Sequence, residues 1–212
     1  MGKIARNEQR KELIKEKIIN SAENVFRKKG IRETTMEDIA EEALYSKAAI
    51  YQYFSSKEEF IVVISIKALH ILNEMFTTGT AKYSNSLDKI GELGNQHFKF
   101  MTELAFYQEV LDHLASVNFT DEKLQVKLFD LKEIDEKIEN IMIEIIAQGQ
   151  KDGEITTTTD ARTMAMLLKG MSSGINNMIK QVCGRDPILF ESEGRRFYEE
   201  FQIFIEKSIK VN

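Results

Sequence analysis

A single proline, Pro187, stands in 212 residues, and apolar side chains recur three and four positions apart along almost the whole chain. That spacing is the signature of amphipathic helices, because residues i, i+3, i+4 and i+7 share one helical face. Alternating apolar and polar runs are lacking, and no Asn-Gly or Asp-Gly turn joins β-branched segments, so strands are not expected. The fold class that follows is all-α. Its one cysteine, Cys183, cannot pair within the chain, which suits a reducing cytoplasm. The charged start (Lys3, Arg6, Arg10, Lys11) with no apolar run behind it argues against a signal peptide. The longest apolar run, Phe60 to Ile66, is interrupted by Ser65 and is shorter than a membrane span needs. A cytoplasmic location and no membrane partner are therefore expected.

Charge divides the chain. The whole carries −5, yet residues 1–58 hold 12 Lys+Arg against 10 Asp+Glu, and residues 1–30 hold 9 against 4. A basic end on an acidic body can meet a polyanion with that end alone. The spacing predicts helices at about 7–29, 34–43, 46–53 and 56–76. Longer ones are expected at 86–104, 106–117, 122–152, 160–182 and 188–210. Gly30 suits the C-terminal turn of the first, and Asp160 suits the start of the eighth. Pro187 fits the first turn of the last. Thr34 with Glu37, Thr35 with Asp38, and Ser56 with Glu59 have capping-box spacing.

The stretch TTMEDIAEEALYSKAAIYQYFSSK, Thr34 to Lys57, is the informative one. Two short helices with hydroxyl caps meet across a tight turn. Ile39, Ala40 and Ala43 on the first would pack on Ile50 and Phe54 of the second. That is helix-turn-helix geometry, which delivers a second helix to the DNA major groove. Its free face would carry Lys47, Ala48, Tyr51 and Gln52. Lysine suits guanine, glutamine suits adenine, and alanine suits a thymine methyl.

This string resembles the N-terminal domain of the tetracycline-repressor (TetR) family of bacterial regulators. The resemblance starts at Ile18-Ile19, Ala22, Phe26 and Gly30. It continues through Thr34-Thr35, Asp38-Ile39-Ala40, Ser46-Lys47, Ile50-Tyr51 and Tyr53-Phe54, and ends at Lys57-Glu58. A weaker echo lies in Gly149, Asp152-Gly153-Glu154-Ile155, Asp160, Gly170 and Gly174. The resemblance implies a DNA-binding domain over 1–58 and a ligand-binding, dimer-forming domain over 59–212. It implies phosphate contacts from Thr34 or Thr35, Tyr51 and Lys57. Ser46 would cap the recognition helix, Lys47, Ala48, Ala49 and Gln52 would face bases, and Tyr53 would lie beside the backbone. It also implies a homodimer on palindromic double-stranded operator DNA, and repression relieved by a small effector. One departure stands out: Leu44 sits where the family usually has glycine. Leucine there is strained, so the turn either takes another path or the first helix runs through it.

For the dimer the candidates are Met164, Leu168, Met171, Gly174, Ile175, Phe197, Phe201 and Phe204. Candidates for a pocket are His70, Phe76, Phe98, Met101, Phe106, Tyr107, His113, Phe119 and Met142, a set suited to an apolar or amphipathic effector. His70, His97 and His113 lack metal-ligand spacing, so neither metal nor cofactor is expected. Phosphate-loop, dinucleotide and nucleophile-elbow motifs are missing, so no enzyme is expected. The competing reading is a helical scaffold or adaptor without effector control.

Overall fold

The computed structural model describes residues 2–114, 124–184 and 186–211. Helix α1 (Gly2–Lys29) ends with Arg27, Lys28 and Lys29 in its last turn, where cations suit the helix dipole. Gly30 follows at φ 87°, a conformation free to glycine. Then come α2 (Met36–Ala43), α3 (Lys47–Tyr51), α4 (Lys57–Thr80), α5 (Ser86–Glu103), α6 (Ala105–Leu114), α7 (Gln125–Lys151) and α8 (Ala161–Cys183). Two stretches close the chain, α9 (Pro187–Leu189) and α10 (Arg195–Ile209), with a π-helical turn (Phe190–Gly194) between them. The architecture is all-α. The order matches the sequence reading except at the end, where one helix over 188–210 was expected. At the π turn the Gly194 backbone lies close to α8: a Cβ there would sit 3.0 Å from Ile179 Cγ2.

The chain forms two compact units. One is drawn from Met1–Ala68 and Phe106–Leu131, the other from Leu69–Ala105 and Lys132–Asn212. The first has its core in Ile18, Ala22, Phe26, Ile39, Ala43, Ile50, Phe54, Phe60 and Ile64, all buried. In the second, Ile146, Ile155, Met164, Ala165, Leu168, Ile205 and Ile209 make one cluster. Phe98, Met101, Ile179, Cys183 and Tyr198 make another. Gly149 explains itself here, since a Cβ would lie 2.6 Å from both Ile155 Cδ1 and Ser86 Cβ. Gly153 turns the chain at φ 76°, and Glu154 accepts from the Ser86 amide at 2.6 Å, at the start of α5. The C-terminus is held to this corner by Thr156 N–H to Ile209 O (2.8 Å) and Val211 N–H to Glu154 O (3.1 Å).

By length and composition α4 (24 residues, mean hydropathy 1.5) could cross a membrane, but half of that window is buried inside the protein. Its Lys67 ammonium is paired with Glu23 at 2.7 Å. Those are the features of a core helix.

Leu44 adopts neither alternative read from the sequence. Helix α2 stops at Ala43, and Leu44 itself takes the left-handed conformation, φ 61° and ψ 40°. The reason is hydrogen bonding: Leu44 N–H reaches Glu41 O (3.1 Å) and Tyr45 N–H reaches Ala40 O (3.0 Å), the paired bonds of a Schellman end. The side chain is 85% exposed and gains no packing in return. A left-handed non-glycine residue costs about 1–2 kcal/mol. Leu44→Gly is therefore expected to raise the thermal midpoint by roughly 2–4 °C, and Leu44→Val to lower it. Equal midpoints in a calorimetric comparison would mean that the turn carries no strain.

Candidate DNA interface

The helix-turn-helix is built from its caps inward. Thr35 opens α2: its hydroxyl accepts from Asp38 N–H (3.2 Å), and the Asp38 carboxylate accepts from Thr35 N–H (2.8 Å). Hydrogen bonds from Lys29 and then Thr35 hold the Asp38 carboxyl down at about 2. The alternative cap, Thr34, is corrected: only 1% exposed, it donates its hydroxyl to Gly30 O at 2.7 Å. It staples the end of α1 and has no free surface for a phosphate. Ser46 opens α3 by accepting from Ala49 N–H at 3.2 Å. Ile39, Ala40, Ala43, Ile50 and Phe54 are all buried, and Phe54 stacks on Phe60 with ring centroids 4.2 Å apart.

That packing turns Lys47, Ala48, Tyr51 and Gln52 outward together, with Ala49 and Tyr53 half-buried beside them. Lys47 is not bare. Its ammonium is bonded to the Glu37 carboxylate of α2, and that bond raises the lysine's affinity for its proton. Sequence reading missed Glu37, because a pairing ten residues apart depends on the crossing of the two helices. The same holds for Lys28 with Glu42 (3.1 Å) and Lys29 with Asp38 (2.7 Å). Much of the local basic charge is matched by acids of α2, at small cost since exposed pairs are weak.

Lys57 donates to Ile31 O (3.0 Å) and Arg32 O (2.9 Å). An ammonium has three donors, so one remains for an anion. Lys57→Ala is expected to do two things: lower stability by about 1–2 kcal/mol through the lost charged bonds, and flatten the salt dependence of DNA binding by about one unit of slope for each bound protomer. An unchanged slope in salt-dependent anisotropy would remove Lys57 from the phosphate contacts. Ser56 also departs from expectation. Its hydroxyl accepts weakly from Glu59 N–H (3.4 Å), but Glu59 does not reciprocate. The Glu59 carboxylate instead takes Ser55 N–H and Oγ–H at 2.6 and 2.9 Å, with Lys127 on its other oxygen. Burial pushes this carboxyl up, but Lys127 and Ser55 outweigh that and hold it below its usual range.

A second polar cluster lies within the same unit. Glu23 of α1, only 7% exposed, accepts from Lys67 Nζ of α4 (2.7 Å) and Tyr107 Oη of α6 (3.2 Å). The Arg27 guanidinium lies over Phe106, 3.8 Å from the ring centroid. Two residues expected in the pocket, Phe106 and Tyr107, are therefore occupied with α1.

The other pocket candidates scatter. Phe98 and Met101 pack in one core cluster, Met142 against the other. Phe76 is buried and His70 exposed. The position of His70 corrects its reading as a lining residue, because an exposed side chain encloses nothing. His113 is half-buried, and burial, with Arg32 and Lys57 nearby, disfavours its charged form. Phe119 lies outside the described residues. Among the described residues no group of three or more His, Cys, Asp or Glu is placed to hold a metal.

Two dimer candidates, Met164 and Leu168, are corrected. Met164 and Leu168 are core residues, and Phe201 packs against their cluster. Ile175 and Phe197 pack against the Phe98 cluster. Met164 and Leu168 are buried, while Ile175, Phe197 and Phe201 are half-buried. The free face of α8 instead carries Met166, Leu167, Met171, Met178 and Val182, and α10 exposes Ile203 and Phe204. Gly170 and Gly174 are exposed, and a Cβ at either would meet nothing within 4 Å.

A capped helix pair that presents an exposed second helix, joined to a helical body, defines a helix-turn-helix transcriptional regulator. The comparisons agree. The pattern of bacterial regulatory proteins of the tetR family matches residues 18–64. The uncharacterised HTH-type transcriptional regulator YfiR of Bacillus subtilis (strain 168) is 26% identical over 170 residues, covering 74% of this chain and 76% of YfiR. Among solved structures, a tetR-family regulatory protein from Rhodococcus RHA1 superposes with a TM-score of 0.70 at 16% identity, covering 94% of this chain and 98% of that one. FadR of Bacillus subtilis, solved with stearoyl-CoA, superposes at 0.63 with 19% identity, covering 86% and 95%. Residues 18–64 therefore carry the DNA-binding domain of the tetR family of bacterial regulatory proteins, and most of the chain is similar to regulators built on it.

Proposed function

We propose that this protein is a cytoplasmic, homodimeric repressor without enzymatic activity, which leaves a palindromic operator when a small apolar or amphipathic effector binds its body. The observation that carries the DNA half is the joint exposure of Lys47, Ala48, Tyr51 and Gln52 on a helix whose opposite side is buried. In this reading Lys47, Ala48, Ala49 and Gln52 meet base edges, while Thr35, Ser46, Tyr51, Tyr53 and Lys57 meet the backbone. Residues 1–58 bind DNA, and 59–212 bind effector and partner. The dimer face is the exposed stripe of α8 around Gly170, Met171 and Gly174, with Phe204 of α10. Small residues let two helices approach closely, and a self-complementary patch closes a two-fold pair.

The effector class rests on the apolar and methionine-rich body and on FadR having been solved with stearoyl-CoA. Long-chain acyl thioesters are the first compounds to try, by thermal shift. An effector that binds the DNA-incompetent form more tightly must in turn be weakened by operator, by a coupling of about 1–3 kcal/mol. Identical ligand affinity with and without operator would remove effector control and leave a DNA-binding protein without a switch.

A further inference from the structure

Helix α1 runs well past the residues of its own unit that it packs on. Its packed part begins at Ile14, and every residue from Arg6 to Leu13 is exposed. This N-terminal stretch is nonetheless patterned. At 3.6 residues per turn, Arg6, Arg10 and Lys17 fall within roughly 60° of arc, with Leu13 beside them. Glu8, Glu12 and Glu16, at four-residue steps, line the far side of the helix. Arg6 and Arg10 make no ion pair or hydrogen bond among the described residues, whereas Glu12 is paired with Lys15 at 2.8 Å. The basic stripe has a fixed relation to the helix-turn-helix. The Lys17 ammonium sits 5.1 Å from the ring centroid of Tyr45, and Tyr45 directly precedes Ser46, the cap of α3. The stripe therefore leaves from the end of the recognition helix that leads into the major groove. From Lys17 to Arg6 it extends about 16 Å along the axis, at 1.5 Å per residue.

We propose that this arm is a second DNA-binding element, with Arg6 and Arg10 holding backbone phosphates of duplex DNA beside those met by the helix-turn-helix. The inference rests on the DNA-binding reading above. An isolated helical arm is weakly stable in water, and a phosphate track gives its free arginines an anionic partner. The pairing of Lys28, Lys29 and Lys47 with acids of α2 sharpens the case, because the arm holds basic charge with no internal partner. Arginines on phosphates add affinity and register but do not read sequence.

The test is salt-dependent fluorescence anisotropy of the full chain on two duplexes. One has random sequence, and the other is enriched from a random pool. Each is about 40 base pairs, titrated between roughly 50 and 200 mM KCl. Arg6→Ala with Arg10→Ala is expected to lower the slope of log K against log salt by about 1.8 for each bound protomer, about 3.6 for the dimer, and affinity near 0.1 M by at least on the order of tenfold per protomer. Both duplexes should lose equally, so the preference between them stays. Glu8→Gln with Glu12→Gln, on the far side, is expected to leave the slope unchanged. Wild-type binding with an arginine double variant that matches it would overturn the arm alone. A glutamine double variant that shifts the slope as much as the arginine pair would also overturn it, by showing an effect of overall charge. Wild-type chain that binds no duplex at any salt would overturn the helix-turn-helix reading first, and the arm with it.

Discussion

Gly174→Glu is expected to split the proposed dimer and to cost operator affinity on the order of 10²–10⁴-fold, the usual gain from linking two binding modules. The site is chosen for what surrounds it. Gly174 is exposed, and nothing lies within 4 Å of a Cβ built there. The protomer therefore accepts the side chain, and glutamate is the better helix former. Helical dichroism should hold, while sedimentation should report the 24.4 kDa chain in place of its dimer. Phe204→Glu, at a side chain 57% exposed, should act alike. Phe201→Glu should not serve as an equivalent, because Phe201 packs against the core cluster of Met164 and Leu168 and a charge there would lower stability. A variant at Gly174 that still sediments as a dimer would place the interface elsewhere.

The other large effect is expected at Glu23. This nearly buried carboxylate ties α1 to Lys67 of α4 and Tyr107 of α6. Glu23→Ala leaves an ammonium and a phenol without their acceptor. Lys67 keeps 42% of its side-chain exposure and can rehydrate, so the loss falls below that of a fully buried pair. About 2–3 kcal/mol follows, or a fall in midpoint of roughly 4–12 °C for a chain of this size. Glu23→Gln keeps an acceptor and should lose less. Glu23→Leu combined with Lys67→Met should recover much of the deficit, since an apolar pair replaces an ionic one at little net cost. A midpoint unchanged in Glu23→Ala would show the cluster to be ornamental.

The helix-turn-helix was legible because its signals are local. Caps lie within three residues of what they cap, and the small Ala40 and buried Ile50 declare the crossing of two helices. What escaped were choices between local equals settled at a distance. Thr34 and Thr35 both fit a capping box, and the Gly30 carbonyl claimed Thr34. Ser56 with Glu59 fitted one too, yet Lys127, 68 positions away, and the adjacent Ser55 took the carboxylate. Helix α8 misled for another reason. Its apolar residues lie on two sides, and periodicity cannot tell the side that packs within the protomer from the side left free. The small residues Gly170 and Gly174 marked the free side more reliably than Met164 and Leu168 did. Leu44 shows the converse: a residue unfavourable for its turn is carried because the backbone hydrogen bonds around it define the turn.

Reading of duplex DNA by α3 is what the proposed function stands on. Selection from a random duplex pool with the wild-type chain tests it directly, followed by the same selection with Gln52→Ala and Lys47→Ala. An enriched inverted repeat is expected, with half-sites about one helical turn apart or a multiple of it. The variants should relax preference at particular base pairs, each by about 1–3 kcal/mol where the contact is bidentate. A pool that returns without any enriched sequence, or variants that select the wild-type site unaltered, would contradict it.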